Sequence, residues 1–171
     1  SKGDFFMTYV TDTVVMTANV AVEAVPSAIA SFKRLSVDDQ LGLLWVLYEN
    51  MGGNITAAAP GAARVQFVDG LLNQFKAMPF NEQLQAMRDL VNKVNSPISR
   101  SYGVLSNNNK LAFWYLLAEG MVAGEIIPVP SYYKLSRPAL DVFTKVVALD
   151  FGQQLTFLRQ SVIGMGIDPF A

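Results

Sequence analysis

Apolar residues recur along this chain at the three- and four-residue spacing of helices. Leu41, Leu44, Trp45, Tyr48 and Met51 share one face of a predicted helix that starts after Ser36 and runs to about Asn50. Leu111, Trp114, Tyr115, Leu117, Ala118 and Met121 do the same on a second helix that starts after Ser106. Ser36 and Ser106 each suit an N-cap, because a hydroxyl can accept from the exposed N–H groups of the first turn. Asp38 and Asp39 then complement the helix dipole, and Gly52-Gly53-Asn54 ends the first of these helices. Around them the spacing predicts a short helix from Pro26, with Ile29, Phe32 and Leu35 on one side. A third helix passes through Phe67, Leu71, Leu72 and Phe75 and stops at Pro79. Asn81 caps a fourth, with Leu84, Met87, Leu90, Val91 and Val94 on one face. Beyond a short segment from Pro97 to Leu105 and the Ser106 helix, Ser136 caps a helix with Pro138 in its first turn and Leu140, Phe143 and Val147 inward. A last helix holds Gln153 to Gln160. No run alternates convincingly enough to be a strand.

The two aromatic helices align at an offset of 70: Ser36 with Ser106, Leu41 with Leu111, Leu44 with Trp114, Trp45 with Tyr115, Glu49 with Glu119 and Met51 with Met121. Glu82 to Asp89 aligns with Gln153 to Gln160 at an offset of 71. The expected fold is therefore all-α, a tandem pair of four-helix units over residues 26–95 and 97–166 packed on each other. Two copies are too few for a solenoid. Residues 1–25 are expected to be an N-terminal arm docked through Phe5, Phe6 and Tyr9, and residues 26–171 a single helical domain. Thr56 to Gly61 is a small-residue connection that permits close approach to something bulky, and Pro128-Val129-Pro130 is its rigid counterpart.

Composition narrows the chemistry. Hydrophobic residues make up 51% of the 171 residues and charged ones only 16%, below the usual quarter or so. Either the core is unusually large or apolar surface faces a ligand, partner or lipid. A net charge of −1 gives no general attraction for nucleic acid. Without Cys or His, common zinc sites, thiolate chemistry and catalytic triads are excluded. No apolar run approaches the ~20 residues that span a bilayer, and the first residues show no leader pattern.

Two constellations remain. The paired aromatic stripes are either core packing or the walls of a site for a large apolar ligand between the halves. Trp and Tyr carry polar atoms that want partners, so they fill a dry core poorly, and Met adapts to irregular ligand surfaces. Glu49 and Glu119 occupy equivalent repeat positions. With no His to complete a carboxylate metal motif, they read as solvated or helix-end charges. Arg159, on a Phe- and Leu-rich helix, is either a snorkelling or salt-bridged residue or a rim charge beside a site. The glycines lack phosphate-loop spacing.

Five blocks, in order and without obvious gaps over roughly residues 20–168, carry a resemblance. They are Gln40-Leu41 through Trp45 and Tyr48; Ala58-Ala59-Pro60-Gly61-Ala62-Ala63; Gln85-Ala86-Met87; Lys110-Leu111 with Phe113-Trp114-Tyr115; and Gln153-Gln154 with Leu158-Arg159. Together they resemble the N-terminal domain of the cyanobacterial orange carotenoid protein, and the chain looks like a stand-alone helical carotenoid protein. The resemblance implies two interleaved four-helix bundles enclosing a central apolar tunnel. One keto-carotenoid, canthaxanthin or echinenone, would run through it. It implies that Tyr48 and Trp114 pack on one ring of the pigment, with Trp45 nearby. Leu41, Leu84, Met87, Leu111, Tyr115, Met121, Val129, Leu155, Val162 and Met165 would line the rest. Leu44, Met51 and Gly61 complete the set of expected contacts, and Tyr133 and Arg159 would sit towards the rim. The family is also associated with chloride. Two-domain members carry a C-terminal domain that this chain does not match, so their photoswitch is not expected to operate within it. Leu105 stands where such members commonly have Trp, and Leu116 where they have Arg, which weakens the case for phycobilisome docking through this surface.

The expected function is soluble keto-carotenoid binding for photoprotection, by quenching singlet oxygen or the excitation of a light-harvesting antenna. That places it in the cytoplasm, in association with thylakoid or phycobilisome. The alternatives are a carrier that exchanges pigment with a C-terminal-domain homologue and a purely structural helical interaction module. An enzyme is not expected.

Overall fold

The computed structural model describes residues 23–52 and 65–170. The expected arm with Phe5, Phe6 and Tyr9, and the connection that holds Gly61, lie outside the described residues. Among the described residues the protein is all-helical. Helix α1 covers residues 23–33, followed by α2 (Val37–Met51), α3 (Val65–Ala77), α4 (Phe80–Asn92), α5 (Pro97–Gly103), α6 (Asn107–Ala123), α7 (Arg137–Val147) and α8 (Phe151–Ile163).

Local chemistry sets most of these boundaries. The hydroxyls of Ser36, Ser106 and Ser136 accept from the N–H groups of Asp39, Asn109 and Ala139, so the three serine caps form as expected. Ser96 caps α5 in the same way, with Pro97 at its start. Asp150 caps α8 through a full capping box with Gln153. Three expectations shift. Helix α4 begins at Phe80 after Pro79, which has no side-chain cap bond, so Asn81 lies inside the first turn. Helix α1 already includes residues 23–25, ahead of Pro26. On α7 the buried residues are Ala139, Val142 and Val146, while Leu140 is exposed. Phe143 and Val147 pack partly buried against the core as expected, and the most buried line of the helix runs one residue earlier, through Ala139, Val142 and Val146.

Helix α6 is the centre of the packing. Leu111, Ala112, Phe113, Trp114, Leu117, Ala118 and Gly120 are buried around much of its circumference, as expected for a helix enclosed by others. Helices α3 and α8 pack most closely on it, and α2 also touches it. Helix α2 packs on α4 and α7. Contacts thus cross the midpoint of the repeat: α3 lies against α6, and α7 against α2. Phe32, Phe75, Phe113 and Phe157 are fully buried or nearly so, and edge-to-face pairs link Phe75 to Phe113 and Phe32 to Phe157.

A buried glutamine ties the α3–α4 turn to the chain beyond α6. The Gln83 amide donates to the carbonyls of Phe75 (2.9 Å), Met78 (3.2 Å) and Glu125 (3.2 Å). Its oxygen accepts from the Ile127 N–H at 2.7 Å. Those bonds fix the start of the segment that forms one wall of the site. No described helix is long and apolar enough to cross a membrane.

Candidate functional site: an apolar cavity between helices

A cavity of about 370 Å3 lies between α2, α4, α6, α8 and the 127–133 segment, within the range of small-molecule sites. Helix α2 contributes Leu41, Gly42, Leu44, Trp45 and Tyr48; α6 contributes Leu111, Trp114, Tyr115, Ala118 and Met121. Leu84, Met87 and Arg88 come from α4, and Leu158 and Val162 from α8. Ile127, Pro128, Val129, Pro130 and Tyr133 form the remaining wall, with Asp38 at the edge.

The repeat explains the shape. Positions 41 and 111, 44 and 114, 45 and 115, and 48 and 118 all line the cavity as pairs at the offset of 70. At the offset of 71, Met87 and Leu158 form another such pair. Repeat-related positions of α2 and α6, and of α4 and α8, thus line one and the same cavity.

Thirteen of the eighteen expected residues are brought together here: Leu41, Leu44, Trp45, Tyr48, Leu84, Met87, Leu111, Trp114, Tyr115, Met121, Val129, Tyr133 and Val162. Gly61 lies outside the described residues. Four do not line the cavity. Met51 and Met165 are buried in the core (3% and 5% exposed). Leu155 is half-buried against that core. Arg159 is half-buried, and its buried Nε has no hydrogen-bond partner among the described residues. On α8 the face turned to the cavity is that of Leu158 and Val162, one step round from Leu155 and Arg159. Sequence reasoning missed Asp38, Gly42, Arg88, Ala118, Ile127, Pro128, Pro130 and Leu158. The repeat carried the signal for two of them: Ala118 is the counterpart of Tyr48, and Leu158 of Met87.

Aromatic rings meet at one side of the site. Trp45 and Tyr48 have ring centroids 5.7 Å apart, and Tyr48 meets Tyr115 edge-on at 5.6 Å. The Tyr115 hydroxyl donates to Glu119 at 2.7 Å. Burial, that hydrogen bond and the Glu119 charge push the Tyr115 phenol up to about 12. Burial and the Glu119 charge also raise Tyr48. Glu119 and Glu49 are both exposed, so neither repeat-related carboxylate enters the cavity. The Trp114 indole N–H donates away from the site, to the Tyr102 hydroxyl at 3.0 Å.

The polar rim is also paired. Arg88 bonds both carboxylate oxygens of Asp38, at 2.8 and 3.0 Å. That bidentate hydrogen bond holds the Asp38 carboxyl below its ordinary value, against a smaller opposing effect of burial. Asp39 accepts from the Ser136 hydroxyl at 2.8 Å, which joins α2 to the cap of α7. Burial, then Asp39 and Asp38, raise the Tyr133 phenol. Gly42 leaves room for Tyr133: a Cβ there would lie 1.7 Å from the Tyr133 hydroxyl oxygen. A glycine inside a helix forfeits roughly 1 kcal/mol against alanine, and this contact is the physical reason for one at 42. Among the described residues no cluster of acidic side chains could hold a metal ion.

An all-helical protein built around a cavity with aliphatic and aromatic walls is the class these features define. Residues 18–168 match the family described as "Orange carotenoid protein, N-terminal", and the chain belongs to that family. It is 57% identical over 149 residues to an orange carotenoid-binding domain-containing protein of Nostoc sp. (strain PCC 7120), covering 87% of each. Among solved structures it is similar to the Orange Carotenoid Protein of Anabaena (Nostoc) sp. PCC 7120 binding canthaxanthin, with TM-score 0.79 and 48% identity. The match covers 86% of this chain and 48% of that one, so the chain spans about half the length of that relative. The Red Carotenoid Protein of the same organism, also binding canthaxanthin, matches at TM-score 0.75 and 38% identity, over 83% of this chain and 97% of that one.

Proposed function

We propose that this protein binds a keto-carotenoid of the canthaxanthin or echinenone type in the cavity between α2 and α6. The observation that carries the reading is the convergence of repeat-related apolar and aromatic residues on one cavity, in a chain whose relatives bind canthaxanthin. The residues fit such a group. The walls offer side chains for a long apolar molecule, and burying its surface at ~25 cal/mol per Å2 gives a strong non-directional drive. The polar atom of Trp114 is engaged behind the wall, so the indole presents its apolar face. Leu41, Leu44, Leu111, Met87, Leu158 and Val162 exclude water along the site, and Trp45, Tyr48 and Tyr115 hold one end ring. The thirteen expected cavity residues are the proposed contacts, joined by Leu158, Ala118 and Gly42.

Once bound, the conjugated polyene supplies low-lying states that accept energy from singlet oxygen or from an excited antenna pigment. The protein holds and desolvates it, with no bond chemistry of its own. We infer a photoprotective role on that basis, with a phycobilisome or a C-terminal-domain homologue as partner and a thylakoid-peripheral place of action. Family membership supports these readings. The chloride association rests on the resemblance alone.

The test is the visible absorption spectrum of the protein made in a canthaxanthin-producing host. A strongly coloured protein is expected, and a colourless product would sink the proposal. Singlet-oxygen lifetimes measured with loaded and unloaded protein then test the quenching role. A lifetime unchanged by loading rules it out.

A further inference from the structure

We propose that Tyr133 and Gly42 form a latch on the cavity. The Tyr133 ring is a movable piece of wall, seated in the notch that Gly42 leaves on α2, and the pair controls passage of a carotenoid end ring. This inference rests on the carotenoid reading above.

Both residues line the cavity, and their fit is tight. The Cβ that any other residue would bring to position 42 would lie 1.7 Å from the Tyr133 hydroxyl oxygen and 2.5 Å from Cζ. One side of this contact is fixed. Leu43, next to Gly42, and Leu47 further along α2 are fully buried, which anchors the helix in the core. The other side is not. Tyr133 is half-buried and lies outside any helix, in a turn whose local tie is its own N–H to the Pro130 carbonyl at 3.0 Å. An aromatic ring on such a turn swings by a rotamer change.

The seat is also steric rather than polar. The Tyr133 hydroxyl makes no hydrogen bond among the described residues, although two carboxylates lie near it. Asp38 is engaged by Arg88, and Asp39 by Ser136. Among the described residues, no hydrogen bond of this hydroxyl must therefore break for the ring to leave. Alanine would suit the interior of α2 better than glycine, so the notch has a local cost that the docked ring explains.

The experiment measures transfer of canthaxanthin from loaded protein to excess phosphatidylcholine vesicles. Wild type, Gly42→Ala, Tyr133→Ala and the double variant are compared, each checked for helical content by circular dichroism. Gly42→Ala should unseat the ring and release pigment about tenfold faster. Tyr133→Ala should do the same, and the double variant should be no faster than Tyr133→Ala alone, since both changes act through one contact. Equal release from wild type and Gly42→Ala overturns the latch while leaving the carotenoid reading intact. So does a Gly42→Ala effect that persists undiminished in the Tyr133→Ala background, because the methyl would then act on the pigment directly. Should Gly42→Ala fail to fold, Tyr133→Ala carries the test, and release at the wild-type rate overturns the proposal. A wild-type protein that takes up no pigment overturns both readings.

Discussion

The indole N–H of Trp114 donates to the hydroxyl of Tyr102 at 3.0 Å, and Tyr102 in turn donates to the carbonyl of Val162. A residue of the cavity wall is thereby tied, through a fully buried tyrosine on α5, to the helix that forms another wall. Lys110 adds to the same cluster. Its ammonium lies 5.4 Å from the centre of the Tyr102 ring and donates to the Ile163 carbonyl at 2.9 Å. Removing the relay without changing its shape isolates its contribution. Tyr102→Phe leaves the Trp114 N–H unpaired in the interior, at about 1–3 kcal/mol, while the Val162 carbonyl keeps the Met165 N–H. Denaturant unfolding should show a midpoint shift of that size at unchanged slope. The loaded protein should show an altered visible band as Trp114 turns.

Trp114→Leu separates a ligand wall from a dry core. Phe113 and the Tyr102 relay flank the indole, so truncation costs roughly 2–5 kcal/mol, the range of large-to-small core truncations. If Trp114 faces pigment, the loss of colour per molecule of folded protein should exceed what the loss of stability explains. A structural module predicts no pigment at all and only the stability change. Absorbance per unit of folded protein decides between them.

Gln83→Leu tests how much the 125–133 wall depends on one amide. The substitution leaves the Ile127 N–H and the carbonyls of Met78 and Glu125 without the Gln83 amide, while the Phe75 carbonyl keeps the Met78 N–H. A destabilisation of about 2–4 kcal/mol is expected from several buried bonds at ~1 kcal/mol each. Amide exchange should accelerate first at Ile127, ahead of the helix interiors.

The Asp38–Arg88 pair gives a small acid-side dependence. The folded carboxyl is held below its ordinary value of 3.8 by the Arg88 bond. Its stabilisation is therefore fully present above that value and is lost as the pH falls through the lower, folded value. The Asp38 side chain is 64% exposed, which limits the effect to roughly 0.2–1 kcal/mol. Asp38→Asn should remove that increment and flatten the fall of the unfolding midpoint below about pH 4.

The alkaline side is governed by tyrosines. Tyr48, Tyr115 and Tyr133 have their phenols raised by burial and nearby carboxylates, Tyr115 to about 12. A group raised on folding lends stability that is fully present below its unfolded value of 10.0 and is lost as the pH climbs through the folded one. Stability should therefore hold to about pH 10 and then fall. Spectrophotometric titration should show Tyr115 ionising late, and Glu119→Gln should bring it earlier.

Much of this protein was legible in the one-dimensional pattern. Helical periodicity, serine caps and the 70-residue offset gave the all-helical fold and the two aromatic helices that line one cavity, and the family resemblance added wall residues such as Val129, Tyr133 and Val162. Those features are local: a cap bonds three residues away, and a stripe is set by 3.6 residues per turn. Two inferences from residue type needed correction. The polar atoms of Trp114 pointed to a partner, and that partner is Tyr102 behind the wall rather than anything in the cavity. Met adapts to irregular ligand surfaces, yet Met51 and Met165, two of the expected contacts, both fill the core.

The sequence by itself thus determined which segments are helices, where the serine-capped ones begin and which broad face of each is apolar. Only the tertiary structure decided the rotation of each helix about its axis. That rotation turns Leu158 and Val162 of α8 to the cavity instead of Leu155 and Arg159, a choice an apolar stripe a hundred degrees wide leaves open. It also decided contacts between residues distant in the chain, such as Gln83 with Ile127 and Gly42 with Tyr133. Such pairs carry no periodic signal, because they arise from how side chains of different volume let packed helices and turns approach one another.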